Sequence, residues 1–116
     1  IINIGSVAGQ FDVRTGSPYG MAKGGLLQLS RNLAVEWASA GIRVNSVSPW
    51  FTETPLTAGL LADSEKSKAV LARTPLRRVA QPAEIAAAVA FFAMSEASFI
   101  TGQNLVIDGG MSANAL

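Results

Sequence analysis

Apolar and polar positions fall in blocks along the chain, and the period changes from block to block. Ile1-Ile2-Asn3-Ile4, closed by Gly5, reads as a short buried strand over residues 1–5. The Gly-, Ser- and Thr-rich stretch from Ser6 to Pro18 reads as loop. Over 18–40 the period is helical. Ala22, Leu26, Leu29, Leu33 and Trp37 trace one apolar stripe, and Leu27, Ala34 and Ala38 a second. A helix apolar on two sides is buried or shared with a partner. Gly41 stands where a C-cap glycine would end it. Ile42 to Ser48 is a second strand, stopped by Pro49. Residues 50–75 make a long excursion, with loop from Trp50 to Thr57 and a helix over 58–73. A further helix spans 82–95. Pro82 suits its first position and Glu84 its first turn, and Ile85, Val89, Phe92 and Ala93 are its core face. After a turn at Thr101-Gly102, Asn104 to Ile107 is a third strand, and Asp108-Gly109-Gly110 turns after it.

Strand, helix and strand with so short a return make a βαβ unit, which implies a parallel sheet. The fold class is therefore α/β, with about three strands alternating with helices. An open parallel α/β sheet binds ligands beyond the carboxyl ends of its strands. Ser6, the Pro49–Thr54 loop and Asp108 all follow such ends. Tyr19 lies on the helix reached from the first of them.

Composition narrows the chemistry. Apolar residues make up 49% of the chain and charged residues only 15%, against about a quarter in ordinary soluble domains. Net charge is +1 and Arg77-Arg78 is the only adjacent basic pair, so no nucleic acid and no acidic membrane surface is expected as a partner. No apolar run approaches the roughly 18 residues of a membrane span, and the opening residues do not read as a signal peptide. The chain opens without Met, inside a strand, and is read as part of a longer protein. There is no Cys and no His. That excludes disulfides, thiol chemistry, Ser-His-Asp catalysis and His-based metal sites, and no metal site is expected.

Acid–base work near neutral pH then falls to a carboxylate, a lysine or a tyrosine. Tyr19 is the only tyrosine, and Lys23 follows four residues on, on the same helix face. An ammonium beside a phenol makes it a usable proton donor and acceptor. Ser6 offers a hydroxyl to hold a substrate oxygen nearby. The plainer alternatives are a surface Tyr–Lys pair and a loop-start serine. Trp50 and Phe51 read equally as core packing and as pocket wall. No nucleophile elbow surrounds Ser6, since Ile4 and Ala8 stand where glycines are needed. No P-loop and no G-x-G-x-x-G is present. Glu53, Asp63, Glu65 and Glu96 read as solvated charges and Asp108 as a turn residue.

Five pieces in order complete the pattern: Asn3-Ile4-Gly5-Ser6 with Gly9, Tyr19-Gly20-Met21-Ala22-Lys23, Gly41-Ile42-Arg43-Val44-Asn45, Pro49 with Thr54, and Thr101-Gly102-Gln103 with Asp108-Gly109-Gly110. Over essentially all its length the chain resembles the C-terminal half of a short-chain dehydrogenase/reductase, most closely the tropinone-reductase-like members. The resemblance implies half of a doubly wound Rossmann-type sheet, with 1–116 a single partial domain on the catalytic side and the N-terminal cofactor-binding half absent. It implies an oxidoreductase that interconverts a carbonyl and a secondary alcohol with a nicotinamide cofactor, NADP or NAD, with NADP favoured. Ser6, Tyr19 and Lys23 would be catalytic. Tyr19, Lys23, Pro49, Trp50, Thr52 and Thr54 would meet the cofactor, and Ser6, Phe11, Val13, Trp50 and Leu56 the substrate. Residues 55–73 would be a mobile cover. A homo-oligomer through helix 18–40 and the C-terminal strand, and a cytoplasmic location, are implied as well. Gly5 stands where many members have a second Ser, a change expected to cost little, and Trp50 stands where Gly is commonest. The rival reading is a non-catalytic assembly fragment, its first strand an open edge that recruits another chain.

Overall fold

A computed structural model describes residues 1–114. β1 (Ile2–Ile4), β2 (Asn45–Pro49) and β3 (Asn104–Ile107) form one sheet in the order β1-β2-β3. Both pairings are parallel, with Ile2 opposite Asn45 and Ser46 opposite Asn104. Parallel neighbours need a long crossover. Helix α1 (Ser17–Glu36) makes the first; α2 (Pro55–Ala62), α3 (Ser64–Arg73) and α4 (Pro82–Ala93) lie in the second. Val47, Ala88 and Phe92 form a buried cluster between β2 and α4, with Ile85 and Val89 packed against it. Successive strand side chains point to opposite faces. On the other face, Ser48 and Leu27 of α1 close over Gly5. The expected sheet, covered on both sides, is therefore present.

β2 is buried from Asn45 to Ser48 yet carries one Asn and two Ser. Their partners explain them. The Asn45 amide donates to the Ile100 carbonyl and its oxygen accepts from the Gln103 N–H, while the Ser48 hydroxyl donates to Asn104. A buried polar group left unpaired costs about 1–3 kcal/mol, so these side chains hold β2 to β3.

Several boundaries differ from the sequence pattern. β2 starts at Asn45, because the Val44 N–H is taken by the Thr101 hydroxyl and not by a ladder. Pro49 is its last residue and pairs with Ile107; the bond at that end comes from the Trp50 N–H to the Ile107 carbonyl, 2.9 Å. α1 ends at Glu36, and the expected remainder is a 3₁₀ turn, Ala38–Ala40, closed by Gly41 at φ 74°. The excursion holds two helices. They break at Asp63, whose carboxylate caps α3 by accepting from the N–H groups of Glu65 and Lys66. Of the two stripes on α1, the buried line is Leu27, Ser30 and Ala34, whereas Leu29, Met21 and Val35 face outward. Ser30 is accommodated because it accepts from Asn3 and donates to the Leu26 carbonyl. On α4 the inward residues are Ile85, Ala88, Val89 and Phe92; Ala93 is exposed. Among the described residues no helix is long and apolar enough to cross a membrane.

Candidate active site

Ser6 follows β1 at its carboxyl end and is buried. Its oxygen accepts from the Ala8 N–H at 3.1 Å and so caps a 3₁₀ turn, Val7–Gly9. A hydroxyl that accepts one bond still has its proton to donate. The turn rests directly on α1. A Cβ on Gly9 would lie 2.8 Å from the Lys23 backbone carbon and 2.9 Å from the Gly24 nitrogen, so only glycine permits this approach. It brings Ser6 beside the first turns of α1, where Tyr19 and Lys23 stand.

Lys23 donates from Nζ to the Ile4 carbonyl at 2.9 Å, and the same nitrogen lies 5.8 Å from the Tyr19 ring centroid. The pair therefore does share a face, within the reach of a cation–π contact. The lysine, however, is anchored on the end of β1 and not on the phenol. An ammonium has three donors, so two remain for a ligand. Tyr19 is 43% exposed.

The loop after β2 is tied down by hydrogen bonds. Thr52 bridges Ala80, the Glu53 N–H donates to the Ala80 carbonyl, and the Ala80 N–H donates to Phe51. Thr57 Oγ1 donates to the Thr52 carbonyl at 2.6 Å and accepts from the Thr54 N–H at 3.0 Å. The Thr54 hydroxyl, 3.1 Å from Thr57 Oγ1, belongs to the cap of α2.

These parts enclose a cleft at the carboxyl edge of the sheet, in two chambers. The larger, about 560 Å³, is lined by Lys23, Thr52 and Thr54 and by Ile85 and Val89 of α4. The smaller, about 290 Å³, is lined by Val7, Val13, Thr15 and Phe51. Ser6, Tyr19, Pro49, Trp50, Leu56 and Thr57 line both. Every residue expected at the site thus meets the cleft except Phe11, which lines a separate cavity within its own loop. Asp108 is also outside the cleft. Its carboxylate accepts from the N–H groups of Gly110 and Ser112, the turn role expected of it. Partial burial works against its charge, but the bonds from Ser112 and Gly110 outweigh that and hold its carboxyl below the usual range.

Sequence reasoning missed Thr57, Thr15 and the α4 wall. Ile85 and Val89 were legible as an i, i+4 pair, but were read only as core; the same pair also lines the cleft. A Cβ at Gly5 would meet Ser48 Oγ at 2.7 Å and Leu27 Cδ2 at 3.0 Å, so a serine there requires both side chains to shift.

A parallel sheet covered on both faces, with a ligand-sized cleft at its carboxyl edge, defines the doubly wound Rossmann-type class. Comparison with known proteins narrows this. The family model described as Enoyl-(Acyl carrier protein) reductase matches residues 1–112. Two tropinone reductase homologues of Arabidopsis thaliana are 49% identical over 114 residues and 50% identical over 115, each over 98% of this chain but only 37% and 42% of their own lengths. A gluconate 5-dehydrogenase from Burkholderia cenocepacia, solved with NADP and tartrate, superposes with a TM-score of 0.95 at 35% identity, over 99% of this chain and 45% of its own. A 4-hydroxyisoleucine dehydrogenase complexed with NADH gives 0.94 at 32% identity, over 98% and 47%. The chain belongs to the short-chain dehydrogenase/reductase family. It spans less than half the length of the relatives it matches.

Proposed function

We propose that this chain carries the proton-transfer side of a nicotinamide-dependent oxidoreductase acting on a small ketone or secondary alcohol. The observation that supports this most is the convergence of Ser6, Tyr19 and Lys23 on one cleft. Tyr19 gives a proton to the carbonyl oxygen in reduction and takes it from the alcohol in oxidation. Ser6 donates its free hydroxyl proton to the same oxygen and steadies the charge that develops there. Lys23, held on the Ile4 carbonyl, keeps positive charge beside the phenol and turns its remaining donors to a ribose. The larger chamber fits the nicotinamide end of such a cofactor, with Pro49, Trp50, Thr52 and Thr54 along its wall. When bound, the nicotinamide would supply or receive the hydride. The tropinone-reductase resemblance favours NADP over NAD.

The 116 residues include no glycine-rich pyrophosphate loop, so we expect them alone to show no turnover. Fusion to the amino-terminal part of the Arabidopsis relative should give cofactor-dependent reduction of ketones from a panel. A folded fusion inert with every ketone and with both cofactors would sink the reading. We infer also that the protein self-associates through α1 and β3. Met21, Leu29 and Val35 are exposed on α1, Leu105 on β3, and β3 is a sheet edge among the described residues. Sedimentation should show a dimer or larger, and a strictly monomeric species would refute it. A purely assembling role gains weight only if the fusion associates without turnover.

A further inference from the structure

Trp50 is the largest side chain common to both chambers, and it is fixed at three points. Its N–H donates to Ile107 at the end of β3. Its ring meets Phe51 edge-on, with centroids 4.7 Å apart and planes at 84°. Its indole Nε1 donates to Thr74 Oγ1 at 3.1 Å. Thr74 is 2% exposed, and its hydroxyl proton is given to the Val70 carbonyl at 2.8 Å. That donation leaves the oxygen able only to accept, so the bond from the indole has one possible direction. Nothing else in the described structure accepts from Nε1.

We propose that Thr74 is a positioning residue: it holds the Trp50 indole as the partition between the two chambers and so sets the size of substrate the smaller one admits. The inference rests on the oxidoreductase reading above and extends it to substrate class. The smaller chamber carries Val7, Val13, Phe51 and Leu56, hydroxyls from Ser6, Thr15, Tyr19 and Thr57, and no charged side chain. It suits a compact, uncharged ketone. With the indole held, a bulky ring cannot spread into the larger chamber. Thr74 also ends α3, so the partition is tied to the excursion that covers the cleft.

The test uses the full chain with Trp37→Phe, which leaves Trp50 as the only tryptophan. Thr74→Val keeps the side-chain volume and removes the acceptor. It should shift the Trp50 emission maximum, weaken the hydrogen-bond marker of the indole N–H in ultraviolet resonance Raman spectra and raise quenching by acrylamide several-fold. Thr74→Ser should restore all three. In the turnover assay of the active fusion, Thr74→Val should raise KM for compact ketones several-fold with little change in kcat, and narrow their advantage over bulky ones. A Thr74→Val spectrum and quenching constant equal to those of the parent would overturn the positioning role. Absence of turnover in the folded fusion that keeps Thr74 would remove the oxidoreductase reading and leave the spectroscopic result on the chain itself to decide the role of Thr74. Should Thr74→Val fail to fold, the same comparison is made with Thr74→Ala and Thr74→Ser, where equal spectra again overturn it.

Discussion

The sheet and the excursion between β2 and α4 are built on opposite terms. In β2, Val47 and Ser48 are fully buried and the buried polar groups of Asn45 and Ser48 are bonded across the sheet. In α2 no residue is buried, and Leu56 is 92% exposed; in α3 only Val70 is buried. Yet both regions line one cleft. Local stability follows buried apolar contact. Ser6 is buried at the sheet end and Lys23 is bonded to it, whereas Leu56 is set on the segment with little burial. The difference teaches that one cleft is walled by two regions of unequal burial, so a substitution in the excursion should cost far less stability than one behind the sheet.

Substitutions can break this contrast. The largest effect is expected from Phe92→Ala. It removes the largest member of the buried cluster and should cost about 3–5 kcal/mol, whereas Leu56→Ala should stay within about 0.5 kcal/mol. Denaturant melts of the two variants check this, and comparable losses would mean that α2 is packed after all. Gly5→Ser comes next. The close approaches to Ser48 and Leu27 predict a loss of about 1–3 kcal/mol by overpacking, read by the same melts; a neutral serine would show that the sheet end yields.

The smallest effect concerns the start of α4. Arg78 donates to Glu84 through both terminal nitrogens, at 2.7 and 2.6 Å, and the Gln81 N–H donates to it as well. The Arg78 bonds first, then that from Gln81, lower the Glu84 carboxyl from an ordinary 4.5 to about 2. A depressed carboxylate stabilises the fold above its ordinary value, and that contribution disappears as pH falls from about 4.5 towards 2. The group is exposed, so the effect is modest. Glu84→Gln should lower Tm slightly at pH 7 and leave it unchanged at pH 2; a gap that persists at pH 2 would exclude this linkage.

The legible parts of the molecule were those carried by local pattern. β1, β3, α1 and α4 follow from apolar runs, helical spacing, Pro82 and Gly41, and the position of the cleft follows from the strand ends together with Tyr19 and Lys23. What could not be read depends on contacts between distant segments. Val44 leaves the ladder because Thr101 takes its N–H. Leu29 points outward and Leu26 and Leu33 are only half-buried, because α1 buries the line of Leu27 and Ala34 instead. Phe11 misses the cleft and lines a neighbouring cavity, although Val13 and Thr15 of the same loop reach the cleft. Thr74 gave no signal at all, since its partner Trp50 stands far off in sequence and the bond exists only in the folded chain.

The central claim is that Tyr19, on the sheet side of the cleft, moves the proton. It is tested most directly by Tyr19→Phe in the active fusion, with turnover measured by loss of reduced cofactor and folding checked by circular dichroism. Removing only the phenolic oxygen should leave the fold intact and reduce kcat by about 10²- to 10⁴-fold, the span of a lost general acid. A folded Tyr19→Phe protein with undiminished kcat would contradict the account.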